Sequence, residues 1–248
     1  MNRLMIKARS LARKVGIPRL YYRFCPRSSD EESFHAAIMT ELRPADVVWD
    51  IGANVGHFAR IFGERTGPTG SVYAFEPTPE SYLALCHATE EFPWVQNVRM
   101  ALSDFNGVSR FVVSESHRRN HLQRNETEGT GDNSVEVPVM RADTYRATCG
   151  VTPNVIKIDV EGFEDEVLAG MDELLATPEL RAVFVEVHFR LLEERGRPNA
   201  PIHIEKLLRS KGLETRWVDE SHLAATRSAG KHSAGIPGSG TRISETHS

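Results

Sequence analysis

The sequence predicts a doubly wound α/β domain with a mostly parallel seven-stranded sheet and helices on both faces. From Asp46 onward, short apolar runs rich in Val and Ile alternate with longer amphipathic stretches, which is the pattern of such a sheet. A glycine-containing turn, Asp50–Gly56, follows the first run. The chain has 248 residues, of which 40% are hydrophobic. It is therefore long enough to bury one core of this kind.

Seven apolar runs supply the predicted strands, and four amphipathic stretches supply the principal helices. The predicted strands lie near Val47–Asp50, Ser71–Glu76, Val95–Ala101, Val155–Asp159, Ala182–His188, Glu214–Val218 and Leu223–Arg227. The predicted helices begin near Gly56, Pro79, Gly162 and Pro201.

An insertion separates the third and fourth of these strands. Val108–Val113 and Val135–Val139 alternate like the two arms of a hairpin, and the polar stretch 114–134 joins them. A long connection of this kind is either functional, here as a substrate lid, or a solvated loop without a direct role. We predict a helical N-terminal extension over 1–44, the domain over 45–227, and a disordered Gly- and Ser-rich tail over 228–248.

Charge and cysteine content exclude several classes of protein. The net charge of -4 and the pI near 6.2 give no reason to expect a nucleic-acid partner, because such domains usually carry clustered Lys and Arg. Cys25, Cys86 and Cys149 are far apart and form no metal-ligand spacing. Reduced thiols in a cytoplasmic protein are the expectation. No apolar run approaches the roughly 20 residues that span a bilayer.

The N-terminal stretch Met1–Gly16 places Leu4, Ile6, Leu11 and Val15 among Lys and Arg residues. Such a helix would either contact an anionic membrane surface peripherally or pack its apolar stripe on the domain or on a second subunit. The oligomeric state does not follow from the sequence.

The turn after the first strand indicates which cofactor the domain binds. Gly52 permits a tight turn and close approach of a ligand, and Gly56 permits close helix packing. The spacing is G-x-x-x-G, and Asp50 and Asn54 disfavour the pyrophosphate of a dinucleotide. An acid suits an ammonium group instead, and Glu76, at the end of the second strand, can accept both hydroxyls of a ribose. The pair predicts S-adenosylmethionine, bound at the carboxyl ends of the strands.

The segment after the third strand, Met100–Asp104, has small residues that would leave a slot for the adenine. Ser103 or Asp104 would bond to the edge of the base. The alternative is a plain turn, since Asp104-Phe105-Asn106-Gly107 is a good turn sequence.

These motifs resemble the FkbM-type methyltransferase family over roughly residues 45 to 227. The matching segments are DIGANVG at 50–56, YAFEP at 73–77, ALSD at 101–104, IKIDVEGFEDEVLAG at 156–170, EVH at 186–188 and WVDESHLAA at 217–225. The resemblance implies a class I, Rossmann-like methyltransferase fold. It also implies O-methylation of hydroxyls on small-molecule, natural-product or glycan-type acceptors, and it leaves the acceptor undefined.

Four polar residues close the fourth and fifth strands. Asp159 and Glu161 share one side of an extended backbone, and Glu186 and His188 repeat that spacing. If the strands are neighbours, the four groups converge beside the transferred methyl. His188 is the first candidate for the general base, and Asp159 or Glu161 is the alternative. Asp159 also counts among the cofactor-binding candidates.

Other roles for these groups stay open. Asp159, Glu186 and His188 would be the ligands if the protein uses Mg²⁺ or Mn²⁺ to acidify the acceptor. Asp159 could instead cap a helix, and His188 could be a plain surface histidine. Asp219 and His222 either line the acceptor pocket or shape a turn. Lys157 is expected to point away from these groups and to be structural. An NAD-dependent oxidoreductase and a non-catalytic methyltransferase-like binding module remain the rival hypotheses.

Overall fold

The computed structural model describes residues 28–112, 121–123 and 134–228. The basic N-terminal stretch, Cys25, nearly all of the 114–134 connection and residues 229–248 lie outside the described residues. Within those ranges, no helix combines the length and the apolar character that crossing a bilayer requires.

Eleven strands and seven α-helices make up the described part of the chain, and one 3-10 turn is added at Leu174–Ala176. The helices are α1 (Ser28–Glu41), α2 (His57–Thr66), α3 (Pro79–Ala88), α4 (Ala142–Cys149), α5 (Glu164–Ala169), α6 (Phe189–Glu194) and α7 (Ala200–Ser210). The strands are β1 (Val47–Ile51), β2 (Ser71–Phe75), β3 (Val95–Val98), β4 (Ala101–Ser103), β5 (Gly107–Val112), β6 (His121–Gln123), β7 (Ser134–Arg141), β8 (Val155–Ile158), β9 (Ala182–Glu186), β10 (Glu214–Trp217) and β11 (His222–Thr226).

The main sheet has seven strands in the order β10-β11-β9-β8-β1-β2-β3. Only β11 runs antiparallel to its neighbours, β9 and β10. This confirms the predicted mostly parallel seven-stranded sheet. β1 lies between β2 and β8, and Ile51 is in register with both Phe75 and Ile158. The residues that follow these three therefore lie side by side at one edge of the sheet.

Alternate side chains of the strands enter two hydrophobic cores, one on each face of the sheet. Trp49 and Ile156 pack with α4, α5 and α7, whereas Val48 and Val72 pack with α1, α2 and α3. The predicted helices on both faces are confirmed.

Helix α1 belongs to the second of these cores. Phe34, Ile38 and Leu42 are almost completely buried. Helix α1 thus packs directly against the main sheet, whereas the sequence analysis placed residues 1–44 in an extension before the domain.

A second sheet, β4-β7-β5-β6, is built from the insertion. β5 and β7 pair antiparallel, with Phe111 opposite Val135, so the predicted hairpin arms are confirmed. The predicted third strand, Val95–Ala101, is however two strands. The backbone turns after β3, where the Met100 N–H donates to the Val98 carbonyl at 3.0 Å, and β4 then joins β7 of the second sheet.

Candidate active site

A cleft opens where β1, β2 and β8 end. Its empty volume is about 740 Å³, including the space that is open to solvent. One wall comes from the turn after β1 and from the end of β2, and the opposite wall comes from the segment after β8. The lining residues are Ile51, Gly52, Asn54, Phe75, Glu76, Pro77, Ser81, Met100, Ala101, Leu102, Asp159, Val160, Glu161 and Phe163. The position agrees with the rule that ligands bind beyond the carboxyl ends of the strands in open α/β sheets.

The turn after β1 depends on two glycines with positive φ. Gly52 has φ +81°, and a Cβ there would lie 1.8 Å from the Asp159 carbonyl oxygen. Gly56 has φ +90°, and its Cβ would lie 3.0 Å from Leu85 on α3. The predicted tight turn and close helix packing are both present. The open side of Gly52, however, is filled by the backbone of the neighbouring strand.

Glu76 lies at the end of β2 with its carboxylate fixed from both sides. Oε2 accepts the backbone N–H of Asn54 at 3.0 Å, and Oε1 accepts the backbone N–H of Thr78 at 2.9 Å and its hydroxyl at 2.5 Å. Glu76 is only 6% exposed but lines the cleft. Burial raises its pKa, and the hydrogen bonds from Thr78 and Asn54 oppose that rise. The carboxylate is thus held ready for a ligand in the cleft.

Asp50 does not line the cleft, which corrects its expected role as a direct partner of the cofactor. Its side chain is completely buried, and Oδ1 lies 3.1 Å from Lys157 Nζ. Asp50 and Lys157 are directly opposite each other in the register of β1 and β8. Burial raises the pKa of Asp50, and the charge of Lys157 opposes that rise. Asp50 therefore anchors the end of the sheet beneath the cleft.

Lys157 also differs from expectation, because it points toward the site. Its Nζ lies 3.5 Å from Asp159 Oδ2 and donates to the Gly52 carbonyl at 3.2 Å. Burial alone would lower its pKa, but Asp50 and Asp159 outweigh that effect and hold the pKa above its ordinary value. Lys157 is thus a buried cation that ties together both walls of the cleft.

Of the predicted adenine segment Met100–Asp104, the first three residues line the cleft and the last two do not. Ser103 is fully buried, and its hydroxyl is 3.5 Å from Glu166 on α5. Asp104 accepts Arg141 at its backbone carbonyl and also does not line the cleft. The cleft is lined instead by Met100, Ala101 and Leu102.

The residues that close β8 and β9 do converge, because these strands are neighbours. We call this set the His188 cluster: Asp159, Glu161, Glu164, Glu186 and His188. Nδ1 of His188 lies 2.7 Å from Glu164 Oε1. Nε2 lies 3.4 Å from Glu161 and 3.7 Å from both Asp159 and Glu186.

The charges around His188 argue against its expected role as the general base. Burial alone would lower its pKa, but the hydrogen bond and charge of Glu164, with Asp159 and Glu161, raise it to about 10. A histidine with that pKa is an imidazolium at neutral pH and has no free lone pair for a proton. Two carboxylates that line the cleft, Asp159 and Glu161, are better placed as proton acceptors. Burial raises the pKa of Glu161, which makes its carboxylate more basic.

Asp219 and His222 lie behind the cleft and do not form its wall. His222 is 4% exposed and stacks on Phe34 of α1, with ring centroids 4.0 Å apart. Its Nδ1 lies 2.7 Å from Asp219 Oδ2, and its Nε2 lies 3.5 Å from Glu186 Oε2. Asp219 also accepts the backbone N–H groups of Ser221 and His222, which shapes a turn. Of the two roles left open by the sequence, the turn is the one these contacts support.

Three of these groups could together hold a metal ion. Asp159, Glu161 and His188 each offer a ligand atom, and these atoms lie within 4.8 Å of one another. The set predicted from sequence contained Glu186 in place of Glu161. Glu186 has one oxygen near His188 and the other near His222, so it lies at the edge of this set.

Two members of the site were missed or misjudged in the sequence. Glu164 orients the imidazole of His188 and also accepts the Gly162 N–H at 2.7 Å. It is the second acid in the EGFED segment, and it lies in the first turn of α5, where acidic residues are common in any helix. The Asp50–Lys157 pair could not be recognised from the sequence, because it depends on the register of β1 and β8, in which Ile51 lies opposite Ile158.

The strand order and the cleft define the class I, Rossmann-like methyltransferase fold. SMU.1697c from Streptococcus mutans, solved in complex with SAH, has the same fold with a TM-score of 0.50. It is 10% identical, and the match covers 83% of this chain and 100% of that chain. At this identity, the likeness shows the fold alone.

Residues 50–214 match the family model described as the methyltransferase FkbM domain. The chain therefore belongs to the FkbM family of S-adenosylmethionine-dependent methyltransferases, as its motifs predicted.

Two curated relatives extend this comparison. The hexuronic acid methyltransferase AglP of Haloferax volcanii is 32% identical over 160 residues, which are 64% of this chain and 62% of that protein. The 31-O-demethyl-FK506 methyltransferase FkbM of Streptomyces tacrolimicus is 33% identical over 178 residues, 60% of this chain and 67% of that protein. The match thus spans less than two thirds of the first relative and about two thirds of the second.

Proposed function

We propose that this protein transfers the methyl group of S-adenosylmethionine to a hydroxyl oxygen of a small-molecule, natural-product or glycan-type acceptor. One observation carries the proposal. A single cleft has the fixed carboxylate of Glu76 on one wall and the carboxylates of Asp159 and Glu161 on the other.

The residues of the cleft fit this cofactor. Glu76 would accept the ribose hydroxyls, and the backbone of Gly52–Asn54 would lie against the amino-acid part. Met100, Ala101 and Leu102 would border the adenine. S-adenosylmethionine carries a sulfonium and an ammonium, so carboxylates attract it, whereas they would repel the pyrophosphate of NAD. When bound, the cofactor supplies an electrophilic methyl carbon and a neutral thioether leaving group.

The chain's own contribution is to orient the acceptor and to take its proton. As the acceptor oxygen bonds to the methyl carbon, its proton would pass to Asp159 or Glu161. A positioned base typically adds about 10²–10⁴-fold, and alignment of the reactants adds more. The imidazolium of His188 would hold the two carboxylates in place. The proposal assigns this chemistry to residues 45–227.

The names of the two relatives support the acceptor class. One is named for a hexuronic acid and the other for a demethylated natural product with a free hydroxyl. Both acceptors are oxygen-rich small molecules or sugars. The net charge of -4 also gives no reason to expect a nucleic-acid acceptor.

Calorimetric titration with S-adenosylmethionine and S-adenosylhomocysteine tests the cofactor, with NADH as the competing ligand. We expect both sulfur compounds to bind, NADH not to bind, and Glu76→Gln to weaken binding by about 1–3 kcal/mol, the scale of hydrogen bonds to a charged group. Glu80→Gln, an exposed change four residues away on α3, is the matched control. Binding of NADH alone would support an oxidoreductase instead.

A second step tests the reaction. A panel of neutral glycosides, uronic acids and polyhydroxylated natural products is incubated with methyl-labelled S-adenosylmethionine, and label in the product is located by mass spectrometry. Transfer to a hydroxyl is expected. Cofactor binding with transfer only to nitrogen or sulfur would contradict O-methylation.

A further inference from the structure

We propose that Asp159, Glu161 and His188, with Glu186 beside them, bind one divalent cation of the Mg²⁺ or Mn²⁺ class on the acceptor side of the cleft. This inference rests on the proposed function, which it extends by a metal. Two features of the His188 cluster carry it: the orientation of the imidazole and the spacing of the oxygens around its second ring nitrogen, Nε2.

The imidazole is oriented as in many histidine metal ligands. Nδ1 faces the buried Glu164 at 2.7 Å, and Glu164 is itself fixed by the N–H of Gly162. Metal-binding histidines usually donate one ring N–H to a carboxylate or carbonyl, which orients the other nitrogen toward the ion. Nε2 of His188 is that second nitrogen. Within the described part of the chain it faces only carboxylates, at 3.4–3.7 Å.

These distances are long for hydrogen bonds but suitable for ligands that share an ion. Bonds of about 2.1 Å at right angles place neighbouring ligand atoms roughly 3 Å apart, and wider angles place them farther apart. The ligand atoms of Asp159, Glu161 and His188 already lie within 4.8 Å of one another. A cation could therefore bind with small side-chain adjustments and without backbone movement.

The charge of the region supports the same conclusion. Four carboxylates surround one imidazole. Lys157 lies 3.5 Å from Asp159 but closer to Asp50, at 3.1 Å, and His222 lies 3.5 Å from Glu186 but closer to Asp219, at 2.7 Å. Oxygen ligands with a single imidazole suit Mg²⁺ and Mn²⁺ better than the softer metals that prefer thiolates. The imidazole proton and the ion would compete for one position, so a bound ion would displace that proton.

A cation in this position would change the chemistry of the acceptor side. Asp159 and Glu161 would act as ligands, and the ion would lower the pKa of an acceptor hydroxyl that binds to it. The proton of that hydroxyl would pass to solvent or to Glu186. Asp159 and Glu161 line the cleft, so an ion bound to them would be open to the acceptor.

The test uses the full chain and Mn²⁺ alone, without cofactor or acceptor. Calorimetry and the electron paramagnetic resonance signal of free Mn²⁺ should both report one site. Glu161→Gln should weaken Mn²⁺ binding at least about tenfold, and Glu164→Gln by about 10–100-fold, the usual effect of removing the partner of a metal-bound histidine. Glu194→Gln, an exposed carboxylate paired with Arg190, should bind Mn²⁺ like the wild type.

A spectroscopic measurement identifies the histidine directly. Electron spin echo modulation of bound Mn²⁺ should show the coupling of an imidazole ¹⁴N, and His188→Gln should abolish it. No binding at millimolar Mn²⁺, or equal affinity in wild type and Glu161→Gln, would overturn the inference. S-adenosylhomocysteine binding is measured separately on metal-free protein. If that ligand binds and Mn²⁺ does not, the cation site is refuted and the proposed methyltransferase is not.

Discussion

The two walls of the cleft are built on different principles. The wall from β1 and β2 is shaped mainly by backbone: Gly52 and Gly56 have positive φ, and main-chain N–H groups of Asn54 and Thr78 hold Glu76. The wall after β8 is shaped by charged side chains: Asp159 and Glu161 line the cleft, and His188, which follows β9, lies within 3.7 Å of both. A backbone wall allows little variation, whereas a side-chain wall can be altered without changing the fold.

The comparison explains how one fold can serve different acceptors. The cofactor is common to the family, and the wall assigned to it is the one that tolerates least change. The acceptor differs between relatives that are named for a hexuronic acid and for a demethylated natural product. The wall assigned to it carries groups whose charge and reach can change by substitution.

The largest expected effect tests the backbone wall. Gly52→Ala should lower the free energy of unfolding by about 4 kcal/mol or more, because the new Cβ would lie 1.8 Å from the Asp159 carbonyl at a positive φ; losses of that size are exceptional for one substitution. Urea denaturation measures it. Gly67→Ala is the matched control, since Gly67 has φ +67° with nothing within 4 Å. It should cost only about 1–2 kcal/mol. Similar losses in both variants would show that the contact with Asp159 does not matter.

The next largest effect tests the buried ion pair between Lys157 and Asp50, which connects the two walls. Lys157→Met should lower the free energy of unfolding by about 3–5 kcal/mol, because it leaves Asp50 charged and fully buried without a partner. The double variant Lys157→Met with Asp50→Asn should recover much of that loss in urea denaturation.

Arg60→Met is the control for this prediction. It breaks an exposed ion pair with Glu64, which typically contributes about 0–1 kcal/mol. If the double variant were as unstable as Lys157→Met alone, the buried charge of Asp50 would not be the cause of the loss.

The contrast between the walls also shows what the sequence could and could not predict. The alternation of apolar runs placed the main strands within a few residues, because hydrophobic periodicity is a local property of the sequence. The positions of Glu76, Asp159 and Glu186 followed from the ends of those strands. Side-chain partners did not follow, because they depend on register. Asp50 was assigned to the cofactor because its partner, Lys157, is 107 residues away in the chain and directly opposite only in the folded sheet.

The placement of Ser103 and Asp104 outside the cleft could not be foreseen for a related reason. Apolar residues recur from Val95 to Leu102 with no Gly or Pro among them, so nothing local shows that the backbone turns after Val98. The strand that follows joins a different sheet, so every expected side-chain direction beyond that turn changed. The charge of His188 was equally hidden, since it depends on Glu164, which the pattern of strand ends does not single out.

A smaller effect concerns the charge of Glu76. Because burial raises its pKa above the ordinary value, Glu76 takes up a proton at a higher pH than an exposed glutamate. S-adenosylhomocysteine affinity should therefore fall as the pH is lowered from neutral, and the fall should begin above the ordinary glutamate range near pH 4.5. Calorimetry from pH 7.5 down to pH 5 measures it. Glu76→Gln should show weak binding with little dependence on pH, and an equally steep dependence in that variant would assign the titration to another group.

The smallest effect tests which part of the segment Met100–Asp104 contacts the adenine. Ser103→Ala should leave the affinity for S-adenosylhomocysteine within about twofold of wild type, because Ser103 is fully buried against Glu166 and does not line the cleft. Met100→Ala should weaken it by about 1 kcal/mol, since Met100 does line the cleft and loses apolar contact area of the order of a buried methylene. Calorimetry on the two variants separates the two placements. If only Ser103→Ala weakened the binding of S-adenosylhomocysteine, Ser103 would contact the adenine, as the sequence first suggested. The side of β4 that carries Ser103 would then face the ligand.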